Sequence, residues 1–159
     1  MTWFEQMKHP TSADIVFAVI DEGGWGACPQ GVILYSDGVL CEYNRDAFFE
    51  NEPAKETFTL LGSNPKMAEE ILDLIRENDK RISRLPVDMR GCATDQRFTE
   101  INFHGKCCEA YAIFDCPDAE ETIFWHNEIL RCIRRYGYLK DRPFLQWDAR
   151  TGDYPRYPG

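Results

Sequence analysis

A chain of 159 residues with 43% hydrophobic and 13% aromatic side chains has the apolar material for one compact core, which excludes a disordered polymer and argues for a single globular domain over residues 1–159. The formal net charge of −9 is polarised: Asp14 to Asp79 holds fourteen Asp and Glu against four Lys and Arg, whereas Ile129 to Gly159 holds seven Lys and Arg against three Asp. A field of that sign repels nucleic acid and speeds encounter with a basic protein, and no run approaches the ~18 to 20 apolar residues of a membrane span.

Residues 1–12 read as a flexible N-terminus with neither the basic start nor the apolar stretch of a signal peptide, which points to the cytoplasm. Seven cysteines, an odd number without an export signal, read as reduced thiols. The first element is "DIVFAVID", Asp14 to Asp21, a nearly continuous apolar run suited to a central strand buried on both faces. Gly23, Gly24, Gly26 and Gly31 follow it. A phosphate cradle needs such a turn to enter a helix and match a fixed spacing; this one enters another strand with no lysine behind it. It reads as a strand connection that displays Trp25.

From Gly31 to Asn44, two apolar runs flank Asp37-Gly38, a dipeptide suited to a two-residue type I′ turn. That turn would place Ser36 opposite Val39, Leu34 opposite Cys41 and Val32 opposite Tyr43, with Ile33, Tyr35, Leu40 and Glu42 on the other side. Arg45 to Glu56 reads as an exposed connection carrying Phe48 and Phe49, and Thr57 to Gly62 as a fourth strand. A helix then opens with Asn64 as N-cap and Pro65 at its first position, and stops before Pro86. Met67, Ile71, Leu74, Ile75, Asn78, Ile82 and Leu85 form its core-facing stripe.

Val87 to Gln96 reads as a loop. Phe98 to Phe103 and Lys106 to Phe114 flank His104-Gly105, a second hairpin turn, in a register that sets Ile101 opposite Cys108 and Thr99 opposite Ala110. The same register opposes Glu100 to Glu109, so it needs a nearby cation or is wrong. A second helix starts from Asp118, with Glu121 completing a capping box, and runs to Tyr136 before Gly137. Residues 140–159 read as an irregular tail, partly docked through Phe144, Leu145 and Trp147. The implied fold class is α+β: a single mostly antiparallel sheet of about five to six strands with two helices packed on one face.

Chemistry is sparse. There is no Cys-x-x-Cys pair; His104 and Cys107, separated by two residues, with Cys108 and Cys116 downstream would make a mixed zinc site, but strand alternation sends Cys107 and Cys108 to opposite faces, so neither a metal nor another cofactor is expected. Cys107 or Cys108 with His126 would be the nucleophile and base of a hydrolase or transferase. Tyr35, Tyr111 and Trp125 would line the pocket of a small-molecule-binding domain. The cluster Arg131, Arg134, Arg135, Lys140 and Arg142 fits a helix C-terminus pairing with the acidic half better than it fits nucleic acid. The favoured expectation is a non-enzymatic protein-binding module, such as an acidic immunity or inhibitor protein that neutralises a basic toxin or nuclease. Its partner surface would comprise Asp21, Glu22, Trp25, Glu42, Asp46, Phe48, Phe49, Glu50 and Glu52.

Overall fold

The computed structural model describes residues 3–22, 29–46, 55–90, 98–111, 113 and 116–145. The described strands are β1 (Ile15–Glu22), β2 (Pro29–Tyr35), β3 (Val39–Arg45), β4 (Glu56–Ser63), β5 (Asp88–Arg90), β6 (Phe98–Phe103) and β7 (Lys106–Tyr111). The described α-helices are α1 (Trp3–Gln6), α2 (Pro65–Glu77), α3 (Asp79–Ile82) and α4 (Glu120–Arg135). The strands join into one sheet in the order β4-β3-β2-β1-β6-β7-β5. The apolar run is indeed at its centre, and every side chain from Val16 to Ile20 is fully buried.

The sheet is mixed and has seven strands, where five to six mostly antiparallel ones were expected. The added strand comes from the segment read as a loop: β5 pairs parallel to β7, with Met89 opposite Ala110. Three residues are too few to display an alternating pattern, so a buried Met89 carries this strand without a periodic signal.

The first hairpin differs from expectation by one residue. Its pairs are Leu34 with Leu40, Ile33 with Cys41 and Val32 with Glu42. The Gly38 N–H donates to the Tyr35 carbonyl at 2.9 Å, so Ser36 and Asp37 occupy the corner and Gly38 follows at φ 93° as a bulged glycine. Tertiary contacts favour this form. The Gly38 carbonyl accepts from Asn64 N–H at 2.9 Å, and a Cβ on Gly38 would lie 2.4 Å from Pro65 N. A one-residue shift exchanges the faces of β3, so Leu40 and Glu42 share a side with Val32 and Leu34. The second hairpin keeps the expected register, with Ile101 opposite Cys108 and Glu100 opposite Glu109. His104 (φ 45°) and Gly105 (φ 96°) form its two-residue turn. Glu100 is buried, whereas solvent reaches Glu109 and weakens the repulsion between them.

Helix α2 is capped as its sequence implies, with Met67 N–H donating to Asn64 Oδ1 at 3.0 Å. Its stripe is interrupted at Asn78, whose Nδ2 donates back to the Leu74 carbonyl at 2.8 Å, and α3 then carries Ile82 onward to the core. Asp118 is not a cap. It lies in a 3-10 turn, Pro117–Ala119, and α4 begins at Glu120 without a side-chain cap. Glu121 instead meets Arg81 Nε at 3.0 Å.

Helices α2 and α4 share one face of the sheet, with Val19, Val32, Leu34, Ile101 and Ile129 in the core between them. The other face is covered too. Phe4 and Met7, in the segment expected to be flexible, are buried against Ala18, Ile20, Ile33, Tyr35 and Tyr43. His9 ties that cover down, with one ring nitrogen 2.7 Å from the Tyr35 hydroxyl and the other 2.6 Å from the Phe4 carbonyl. Among the described residues no helix is long and apolar enough to cross a membrane.

Candidate functional site

Asp21 does not face solvent. It lies on the helix side of β1 at 8% exposure, where the Thr99 hydroxyl donates to Oδ1 at 2.8 Å and Arg142 Nη2 reaches Oδ2 at 3.3 Å. This carboxylate fastens the segment after α4 to the central strand. Glu22 is half-buried at the end of the same strand. Glu42 and Asp46 are exposed at β3 and just beyond it. Trp25, Phe48, Phe49, Glu50 and Glu52 lie outside the described residues.

Three arginines of the late basic cluster pair with acids, while Lys140 stays exposed. Arg135 pairs with Glu70 at 3.2 Å, Arg142 with Asp21, and Arg131 with Glu128. The guanidinium carbons of Arg134 and Arg131 sit over the Phe144 ring at 4.0 and 4.9 Å from its centroid, so two cations are stacked on an aromatic as well. The Tyr136 hydroxyl, followed by Arg135, holds the Glu70 carboxyl below its usual range.

What the sequence reading missed is a carboxylate ridge on α2. Glu69, Asp73 and Glu77 recur every fourth position, which aligns them on one side of a helix, and all three are exposed. Together with Glu70, Leu74, Tyr136 and one cation, Lys66, they line an open groove of about 510 Å³. Their spacing was legible; the neighbour was not, because Tyr136 arrives from the end of α4. A second groove, of about 490 Å³, runs between Glu42, Val32 and Leu61 on one side and Tyr138 to Pro143 on the other. Tyr138 fits there because Gly62 has no side chain; a Cβ would stand 2.5 Å from the ring.

Cys107 and Cys108 point to opposite faces, Cys108 into the core beneath the helices and Cys107 toward the N-terminal cover. Burial pushes the Cys108 thiol up to about 12 and, with Glu100 adding to it, the Cys107 thiol up to about 11. Both shifts run opposite to those of a reactive thiolate. His126 is buried on α4 and burial draws its pKa down to about 4. Its Nδ1 lies 2.8 Å from Asn127 Oδ1, and no recorded hydrogen bond joins it to either thiol. Tyr35 and Trp125 lie on opposite sides of the sheet and Tyr111 is exposed, so the three do not share a pocket. Among the described residues no group of three His, Cys, Asp or Glu side chains could hold a metal ion.

The chain matches no protein-family model and no curated protein. What its surface can do therefore follows from the residues themselves.

Proposed function

We propose that this chain is a non-enzymatic module whose carboxylates receive the basic surface of another protein, as an immunity or inhibitor protein masks a basic toxin or nuclease. One observation carries the reading. Ion pairs join Arg81, Arg131, Arg135 and Arg142 to Glu121, Glu128, Glu70 and Asp21, while Glu69, Asp73 and Glu77 stand exposed along α2 with no ion pair among the described residues. Fixed negative charges on a rigid helix steer a basic partner and set its register. The apolar floor of Leu74 and Tyr136 supplies desolvated contact between them. Glu42 and Asp46 add exposed negative charge on β3 and just beyond it.

The test begins with affinity capture of a partner, followed by association kinetics with the wild type and with the Glu69→Lys, Asp73→Lys, Glu77→Lys triple variant. The expected result is a fall in association rate of about tenfold or more at low salt, shrinking as salt is added. An association rate that ignores both the three reversals and the salt would sink the proposal.

The 490 Å³ groove supports a second reading, a small-molecule site, because its volume falls in the ~300 to 1,000 Å³ range of ligand pockets. A ligand placed there by Glu42 and the Tyr138 ring should raise Tm in a metabolite screen, and Glu42→Gln should abolish the rise.

A further inference from the structure

Among the described residues strand β4 forms one edge of the sheet, and between Glu56 at its start and the register irregularity beside Leu61 it carries little that guards an edge. From Thr57 to Asn64 it carries no charged residue and no proline. Leu60 is 64% exposed, the most exposed of the large hydrophobic side chains described. The opposite edge, β5, is protected by its length of three residues. An eight-residue edge presents a row of outward backbone N–H and C=O groups that another strand can complete.

We infer that β4 pairs with β4 of a second copy of this chain, antiparallel about a two-fold axis at Thr59. Phe58 and Leu60 lie opposite Tyr43 and Cys41, so both point to the face covered by the N-terminal segment. An axis at Thr59 sets Leu60 against Phe58 of the partner subunit, and Phe58 against Leu60 of the partner subunit, which buries the exposed leucine twice. The charges agree with this register. Glu56 falls opposite Gly62 of the partner subunit and Lys55 opposite Ser63 of the partner subunit, so no like charges are opposed across the seam. The acidic ridge of α2 would oppose a like-charged copy, whereas the uncharged stretch of β4 accepts one. The register irregularity beside Leu61 ends the regular ladder, so the contact is short and falls below the ~1,200 Å² of stable interfaces, giving a weak, concentration-dependent dimer.

Sedimentation velocity across a wide concentration series tests this. Wild type should shift from monomer to dimer as concentration rises, and Leu60→Lys, a change at an exposed position, should weaken the dimer by about tenfold or more. In a second measurement Thr59→Cys is oxidised. A residue on the axis faces its own copy with Cα atoms ~4.5 to 5.5 Å apart, within disulfide reach, so it should cross-link far beyond the wild-type background and beyond a Lys55→Cys control. A chain that stays monomeric throughout, a dimer indifferent to Leu60→Lys, or a Thr59→Cys yield no higher than the control would each overturn the inference.

Discussion

At His126 the hydrogen-bond geometry determines the protonation state. Asn127 donates from Nδ2 to the Leu145 carbonyl at 2.6 Å and accepts on Oδ1 from the Leu145 N–H at 3.0 Å, which settles the orientation of the amide. Oδ1 can only accept, so the imidazole proton sits on Nδ1 and donates to it. Nε2 is then bare, buried and without a hydrogen-bond partner among the described residues, on a ring whose centroid is 5.8 Å from that of Phe17. Charging the ring would bury a cation; Arg142 opposes it further, while the Asn127 bond and Asp21 act the other way. The sign follows from where the proton binds first. An unfolded histidine takes its proton near pH 6.5, whereas the folded one resists until about 4, so stability is complete above the unfolded value and declines as pH falls through this window. The full loss is on the order of 3 kcal/mol. Urea midpoints followed from pH 7 down to 5 should fall in the wild type and fall less in His126→Gln, whose side chain takes no proton there. Parallel slopes in the two proteins would show that His126 is not the group responsible.

At the scale of elements, the two hairpins separate what a turn contributes from what its neighbours impose. Gly105 has φ 96° and nothing within 4 Å of a Cβ built on it, so Gly105→Ala should cost only the left-handed backbone penalty, about 1 kcal/mol. Gly38 has nearly the same φ, but its Cβ would stand 2.4 Å from Pro65 N and 2.5 Å from Asn64 C. Gly38→Ala should therefore cost about 1 to 3 kcal/mol more, through overpacking against the start of α2. Thermal melts of the two variants side by side check this, and equal losses would mean that the contact with α2 yields freely. The comparison also explains which parts of the fold could be read in advance. Nothing crowds Gly105, and although the His104 N–H donates to the Val16 carbonyl at 2.9 Å, that bond is compatible with the register that the local turn chemistry predicts. Asp37-Gly38 is the stronger turn dipeptide, yet its form answers to Asn64 and Pro65, which no local rule weighs. The central strand and the α2 cap were legible because burial and capping act within a few residues. Strand β5 and the docked Phe4 and Met7 were not, because each is held by partners distant in sequence.

At the scale of the whole molecule, charge divides into a part that holds the fold and a part that remains available. Asp21 was expected on the recognition surface because it is acidic and early; its partner Arg142 lies 121 positions away, so the sequence could not reveal that this carboxylate is already engaged. The α2 ridge, by contrast, was written in a spacing of four and needed only the fold to show it facing outward. With a net charge of −9 the molecule should respond to salt in opposite directions at its two proposed surfaces. Raising ionic strength from 0.01 to 0.15 M shortens the screening length from ~30 to ~8 Å. That shortening removes long-range attraction between the α2 ridge and a basic partner, so the association rate should drop by about tenfold or more. The same change relieves repulsion between two copies that carry like net charge, while the uncharged β4 seam loses nothing to screening, so dimerisation should strengthen. Association kinetics and sedimentation run in the same pair of buffers make the comparison direct. If salt moved both equilibria in one direction, the ridge and the edge would not be separate surfaces of different chemistry, and the division of the molecule into a charged recognition face and a neutral self-pairing edge would fail.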